Sequence, residues 1–213
     1  SMYCSLANDA FVEMFTRHYD DEFTCNLEEC MLFDVIRKVS TGLTEIGVVT
    51  IFSDGEALAL RKLEDAGLEF NLILRRPLHA IIGPQNPLYH EERESVTLEE
   101  LREFPCVINY ASPGDFSGER IWEGGARRNA EVVVSDLGSA LQIVSRTGAV
   151  AIDTYDAETY RTFYAANDCK YLALKDAPID CKLGWVMPKN HTLSQACGEF
   201  LEILREKAEL TAR

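Results

Sequence analysis

Apolar positions along this chain switch between two spacings, and the switches mark out its elements. Phe11, Met14, Phe15 and His18 share one helical face, as do Leu32, Val35, Ile36, Val39 and Leu43, a run that meets its stop at Gly42. Further stripes at Leu137, Ala140, Leu141 and Val144, and at Leu193, Ala196, Cys197, Phe200, Leu201 and Leu204, predict two more helices. Between them lie short apolar runs. Ile46 to Ile51 is continuous and suits a strand buried on both faces. Leu68 to Leu74 and Leu78 to Ile82 read as strands after a helix from Glu56 to Asp65. Met2 to Cys4 is a shorter candidate strand, and Phe23 to Leu27 alternates weakly as another. Asn8 or Asp9 can cap the first helix. Strand, helix, strand, helix, strand is the grammar of a parallel α/β sheet.

The pattern breaks from Gly83 to Pro87 and then begins again. In VTLEELREFPCVINY, Val96 to Tyr110, Thr97 can cap a helix while Glu100 reaches back to it as a capping box, and Pro105 ends that helix at Phe104. Cys106 to Tyr110 is then a strand that runs into Ala111-Ser112-Pro113-Gly114. Strands follow at Glu131 to Val134, Ala149 to Ile152, Tyr171 to Leu174 and Lys182 to Met187, with a helix expected from Tyr155 to Tyr164. The second half repeats the order of the first, so two half-domains of one α/β design are expected.

Composition narrows what such a chain does. At 213 residues, 46% hydrophobic, it can bury a core in each half. Lys and Arg number 21 against 35 Asp and Glu, a net charge of −14 that repels phosphate backbones and anionic membranes. The seven cysteines, Cys4, Cys25, Cys30, Cys106, Cys169, Cys181 and Cys197, are scattered and stand mostly in apolar contexts, as reduced thiols of a cytoplasmic protein do. No apolar run reaches the roughly 18 residues of a membrane span. The four histidines lack metal-ligand spacing, no Gly-x-Ser-x-Gly is present, and no glycine-rich phosphate loop leads from a strand into a helix. The pairs Glu28-Glu29 and Glu91-Glu92 read as solvated surface. No catalyst, metal or cofactor is nominated.

A binding site is better supported. Ser5 follows the first strand, Thr50 ends the third, Ser112 follows VINY, and Asp136 follows VVVS. In open α/β sheets, ligands sit at the carboxyl ends of strands, where loops leave a crevice. Each residue also has a plainer role: Ser5, Asn8 and Asp136 can cap the next helix, and Thr50 can simply fill a strand position. Their shared position across both halves favours a crevice for a small polar or anionic ligand.

Several segments, taken in order, are similar to the effector-binding domain of LysR-type transcriptional regulators, over nearly the whole chain. They are AFVEMFTRHY, VIRKVSTGLTEIGVVTI, PLHAIIGPQNPL, VTLEELREFPCVINY, VVVSDLGSALQIVSRTGAVAI and WVMPKNHTLSQACGEFLEILRE. The chain departs from the family pattern at Glu45, where Asp is usual, and at Asn86, where His often precedes Pro-Leu. It departs again at Thr147-Gly148-Ala149, a reduced Gly-x-Gly turn.

The resemblance implies two Rossmann-like subdomains joined by two crossover strands, as in type 2 periplasmic binding proteins. Lobe I would comprise residues 1–80 and 185–213, and lobe II residues 81–184, with crossings near Arg76 to Gly83 and Cys181 to Pro188. Carried onto this sequence, the family's effector contacts fall on Ser5, Leu6, Asn8, Thr50, Ile51, Tyr110, Ala111, Ser112 and Asp136. The family also pairs its domains side by side, here through the helices around Phe11 to Tyr19 and Gly138 to Thr147. DNA would be met only through an N-terminal winged helix-turn-helix, which does not precede Tyr3. A free-standing solute-binding protein of a transporter is the alternative function, and an enzyme on this fold is disfavoured.

Overall fold

The computed structural model describes residues 5–20, 24–53, 55–109, 131–134, 136–154, 167–177 and 180–211. Two compact units emerge, one built from residues 1–50, 57–74 and 182–213, the other from 51–56 and 75–181.

The first unit contains α1 (Ser5–Arg17), α2 (Leu32–Ser40), most of β1 (Gly47–Phe52), α3 (Glu56–Asp65) and β2 (Leu68–Arg76). Strand β9 (Cys181–Pro188) and the final helix α6 (Gln195–Thr211) return to it. Its sheet runs β1-β9-β2, with β9 central. Successive strand side chains face opposite ways, so a central strand needs apolar residues on both faces. CKLGWVMP meets that need: Leu183 and Trp185 pack among Leu6, Ala10 and Met14 of α1 and Phe200, Leu201 and Leu204 of α6. Val186 lies against α2, whose Val35 and Val39 crowd Gly47. The α1–α6 seam is closed at its edge by polar contacts: His18 Nε2 lies 2.8 Å from Glu199 Oε2, and Lys207 Nζ 2.8 Å from Glu13 Oε2. Helix α2 ends through Gly42, whose φ of +72° suits a residue without Cβ.

The second unit holds β3 (Leu78–Ile82), a 3₁₀ turn (Pro87–His90), β4 (Ser95–Val96), α4 (Leu98–Leu101), β5 (Cys106–Asn109), β6 (Glu131–Val134), α5 (Leu137–Arg146), β7 (Val150–Thr154) and β8 (Lys170–Leu174). The sheet order is β4-β8-β3-β7-β5-β6. Its core gathers Ala80, Ile82, Val96, Leu101, Val150 and Leu172. The capping box forms as its residues require. Thr97 Oγ1 accepts from the Glu100 amide at 3.3 Å, and Glu100 Oε2 accepts from the Thr97 amide at 2.8 Å. Thr97→Ala should cost about 1 kcal/mol in a urea titration.

Arg93 donates to Glu100 at 2.6 Å, and that bond, with the Thr97 amide, holds the Glu100 carboxyl at about 2. A carboxyl lowered on folding stabilises above its ordinary value, 4.5 here, and loses that contribution as pH falls toward 2. The gap in urea midpoint between the wild type and Glu100→Gln should therefore be present at pH 6 and shrink steadily below pH 4.5.

Three expectations need correcting. The sheet of the second unit is mixed, because β3 pairs antiparallel with both β7 and β8 while β5 runs parallel to β6 and β7. Periodicity carries burial but not strand direction. Residues Thr24 to Leu27 form no strand: TCNLEEC is polar, Leu27 is 44% exposed, and neither face has apolar surface to bury. Helix α1 starts at Ser5, so Asn8 lies inside its first turns and caps nothing. The strand expected at Met2 to Cys4, Phe23, and the helix from Tyr155 to Tyr164 lie outside the described residues.

Candidate functional site

The strand-end residues divide between the units. Ser5 opens α1, whose first turn contains no acidic residue, so the partial positive charge of its amide ends is not neutralised within the helix. Leu6 is 3% exposed and turned into the core among α1 and α6, so what it can offer a ligand is its backbone amide. Its side chain is an anchor that fixes the helix start. Thr50 is half-buried near the carboxyl end of β1, and Ile51 beside it is 1% exposed, a packing residue by side chain. Asn8 lines a cavity between α1, α2 and the start of β1. Tyr110, Ala111 and Ser112 lie outside the described residues.

Asp136 has the plainer role that the sequence allowed it. It is the N-cap of α5, and its Oδ1 accepts from the Ser139 amide at 2.8 Å. Hydrogen bonds from the Ser139 amide and hydroxyl lower its carboxyl below the usual range, so it is an anion at neutral pH. The end of α5 already holds a tethered carboxylate where a ligand anion would bind.

Where the second unit begins and ends, the chain is tied to itself. The Ser53 amide donates to Asp180 O at 2.9 Å, and the Asp180 amide donates to Ser53 Oγ at 3.1 Å. Arg75 is exposed and reaches Asp180 at 3.3 Å, whereas Arg76 is 8% exposed. Burial raises the neighbouring Cys181 thiol to about 12, with Asp153 adding to the rise and Arg76 opposing it, so this sulfur stays protonated. Burial likewise lowers His79, whose ring stands edge-on to Tyr171 at 5.8 Å, and keeps it neutral at physiological pH. The sequence contains Arg75-Arg76 as an undifferentiated pair; nothing in its pattern says which arginine turns inward.

Two departures from the family pattern meet in space. Asn86 is fully buried, accepts from the Leu88 amide at 3.0 Å and donates to Gly148 O at 2.8 Å, stitching the turn after β3 to the reduced turn after α5. Glu45, the third departure, accepts from the Ser194 amide. Burial pushes its carboxyl up, but the Ser194 amide and hydroxyl outweigh this and bring it below the usual value.

The family described as LysR substrate binding domain matches residues 26–209. The chain belongs to this family. Its fold is that of LysR effector-binding domains, the type 2 periplasmic-binding-protein-like fold. The effector-binding domain of QuiR in complex with shikimate superposes with a TM-score of 0.67 at 13% identity, covering 97% of this chain and 92% of that one. The BenM effector-binding domain with benzoate gives 0.72 at 16% identity, covering 98% and 88%. Full-length CbnR bound to its target DNA gives 0.66 at 17% identity, and there the match covers 97% of this chain but 67% of the regulator. No curated protein matches the chain by sequence. A LysR substrate-binding domain is thus the effector-sensing part of a transcription regulator, which favours that function over a transporter's solute-binding protein. Among the described residues no helix is long and apolar enough to cross a membrane.

Proposed function

We propose that this LysR substrate-binding domain senses a small organic anion held at the carboxyl ends of its strands. The lobe division would follow residues 1–80 with 185–213 against 81–184. The observation that carries the reading is the start of α1. A buried Leu6 anchors the helix at Ser5 with no acid in its first turn, leaving amides that suit a carboxylate. Thr50 adds a hydroxyl near the carboxyl end of β1, and the family resemblance adds Tyr110, Ala111 and Ser112 to the proposed contacts. Asp136 then serves as a fixed cap that selects against anions at α5. Benzoate and shikimate, the ligands of the BenM and QuiR domains, are carboxylates of the size this reading calls for. A ligand with different affinity for two states of the domain shifts their populations, and a DNA-binding part of a full regulator responds to that shift.

Calorimetry with a panel of small carboxylates, benzoate and shikimate included, tests the site. At least one should bind, and Thr50→Ala and Ser112→Ala should each weaken it about tenfold, as expected for a lost hydrogen bond to a charged group. No binding across the panel, or binding that both variants leave unchanged, refutes the reading.

The same proposal includes self-association. Val12 and Phe15 on the outside of α1 and Tyr19 in the turn after it are 62%, 47% and 73% exposed, with the Phe15 and Tyr19 rings edge to face at 6.0 Å. A patch of this kind is a candidate protein contact, and in this family's side-by-side pairing it would meet the α5 helix of a partner. Phe15→Glu should shift sedimentation toward the monomer at concentrations where the wild type associates.

A further inference from the structure

A cavity of about 430 Å³ opens within the first unit, away from the strand-end residues apart from Asn8. Its walls are apolar: Phe11 and Met14 of α1, Val35 of α2, Val48 of β1 and Phe200 of α6. It exists because residues 24–30 cross here without joining the sheet, which leaves the outer edge of β1 without a neighbouring strand among the described residues. Packed interiors rarely leave voids much larger than a water molecule, and water gains little from apolar walls. A space of this size is in the range that small-molecule sites occupy.

The rim decides what class of molecule fits. Glu28, Glu29 and Lys38 are the charged residues of the lining, and Lys38 is taken up in an ion pair with Glu28, so the lining keeps an excess of one negative charge. An anion would meet Glu29 with no uncommitted cation opposite it in the lining. The thiols of Cys25, Cys30 and Cys197 add soft, weakly polar surface. We propose that this cavity is a second ligand site, distinct from the anion site at the strand ends, and that it takes a neutral, ring-containing apolar molecule of roughly fifteen non-hydrogen atoms.

N-phenyl-1-naphthylamine, neutral and fluorescent only in apolar surroundings, is the probe. It should bind the intact chain saturably, with a dissociation constant of roughly tens to hundreds of micromolar for a ligand of its size. Bound probe should slow alkylation of Cys197 by N-ethylmaleimide at least threefold, read by mass spectrometry of the peptide. Ala196→Trp, which fills the cavity from α6, should weaken the probe at least tenfold. Thr44→Trp, placed on the loop before β1, should do the same and serves if the helix variant fails to fold by circular dichroism. The anionic analogue 1-anilinonaphthalene-8-sulfonate should protect Cys197 much less. Unsaturable fluorescence, unchanged Cys197 alkylation, or equal affinity in a folded tryptophan variant overturns the site. Equal protection by the sulfonate overturns the neutral class.

Discussion

Gly83→Ala is expected to destabilise the second unit by about 3 kcal/mol, the upper end of what overpacking a closed site costs. A Cβ at position 83 would lie 2.3 Å from Val144 O and 2.7 Å from Ser145 Cα. Both atoms are backbone of α5, so no rotamer change can make room, and either α5 or the end of β3 must move. Moving α5 disturbs Leu141 and Val144, which are 1% and 0% exposed. Urea unfolding should show a lowered midpoint with an unchanged slope. A loss under 1 kcal/mol would mean that the turn after β3 does not approach α5 as closely as described.

Asn86→Ala should cost about 2–4 kcal/mol, measured the same way, because it strands the buried Leu88 amide and the partly buried Gly148 carbonyl. Asn86→Asp separates the two bonds. Its carboxylate still accepts from Leu88 but faces the Gly148 carbonyl without a proton to give, so at neutral pH it should be at least as damaging as alanine. If Asp were tolerated as well as Asn, the donor bond to Gly148 would carry no weight. Gly83 and Asn86 act at one junction: the Asn86 amide also donates to Gly83 O at 3.0 Å. Their double substitution should cost less than the sum of the two, as residues sharing a network do.

This junction shows where reading from residues reaches its end. Asn86 and the Thr147-Gly148-Ala149 turn stand out in the sequence as separate departures from a family pattern. That each answers the other follows only from a fold that brings positions 62 apart in the chain to within 2.8 Å. The sequence offers Asp136 both as a cap and as an effector contact, and the hydrogen bond from Ser139 shows the cap. The weak alternation from Phe23 to Leu27 yields no strand over Thr24 to Leu27 for a physical reason: such a pattern marks a strand only when one face has something to bury, and Leu27 alone does not supply it.

By itself the sequence determined the elements, because helix and strand follow from local spacing. Helix α3 runs from Glu56 to Asp65, β3 from Leu78 to Ile82 and β6 from Glu131 to Val134, as their patterns predict, and the capping box at Thr97 and Glu100 forms from two side chains three residues apart. Order and spacing of these segments also carried the LysR family. Only the tertiary structure decided the antiparallel setting of β3, the inward turn of Arg76 beside the outward Arg75, the pairing of Asn86 with Gly148 and the cavity behind residues 24–30. Each depends on which distant surfaces meet. Local periodicity says that a face will be buried; the partner that buries it is chosen by the packing of the whole chain.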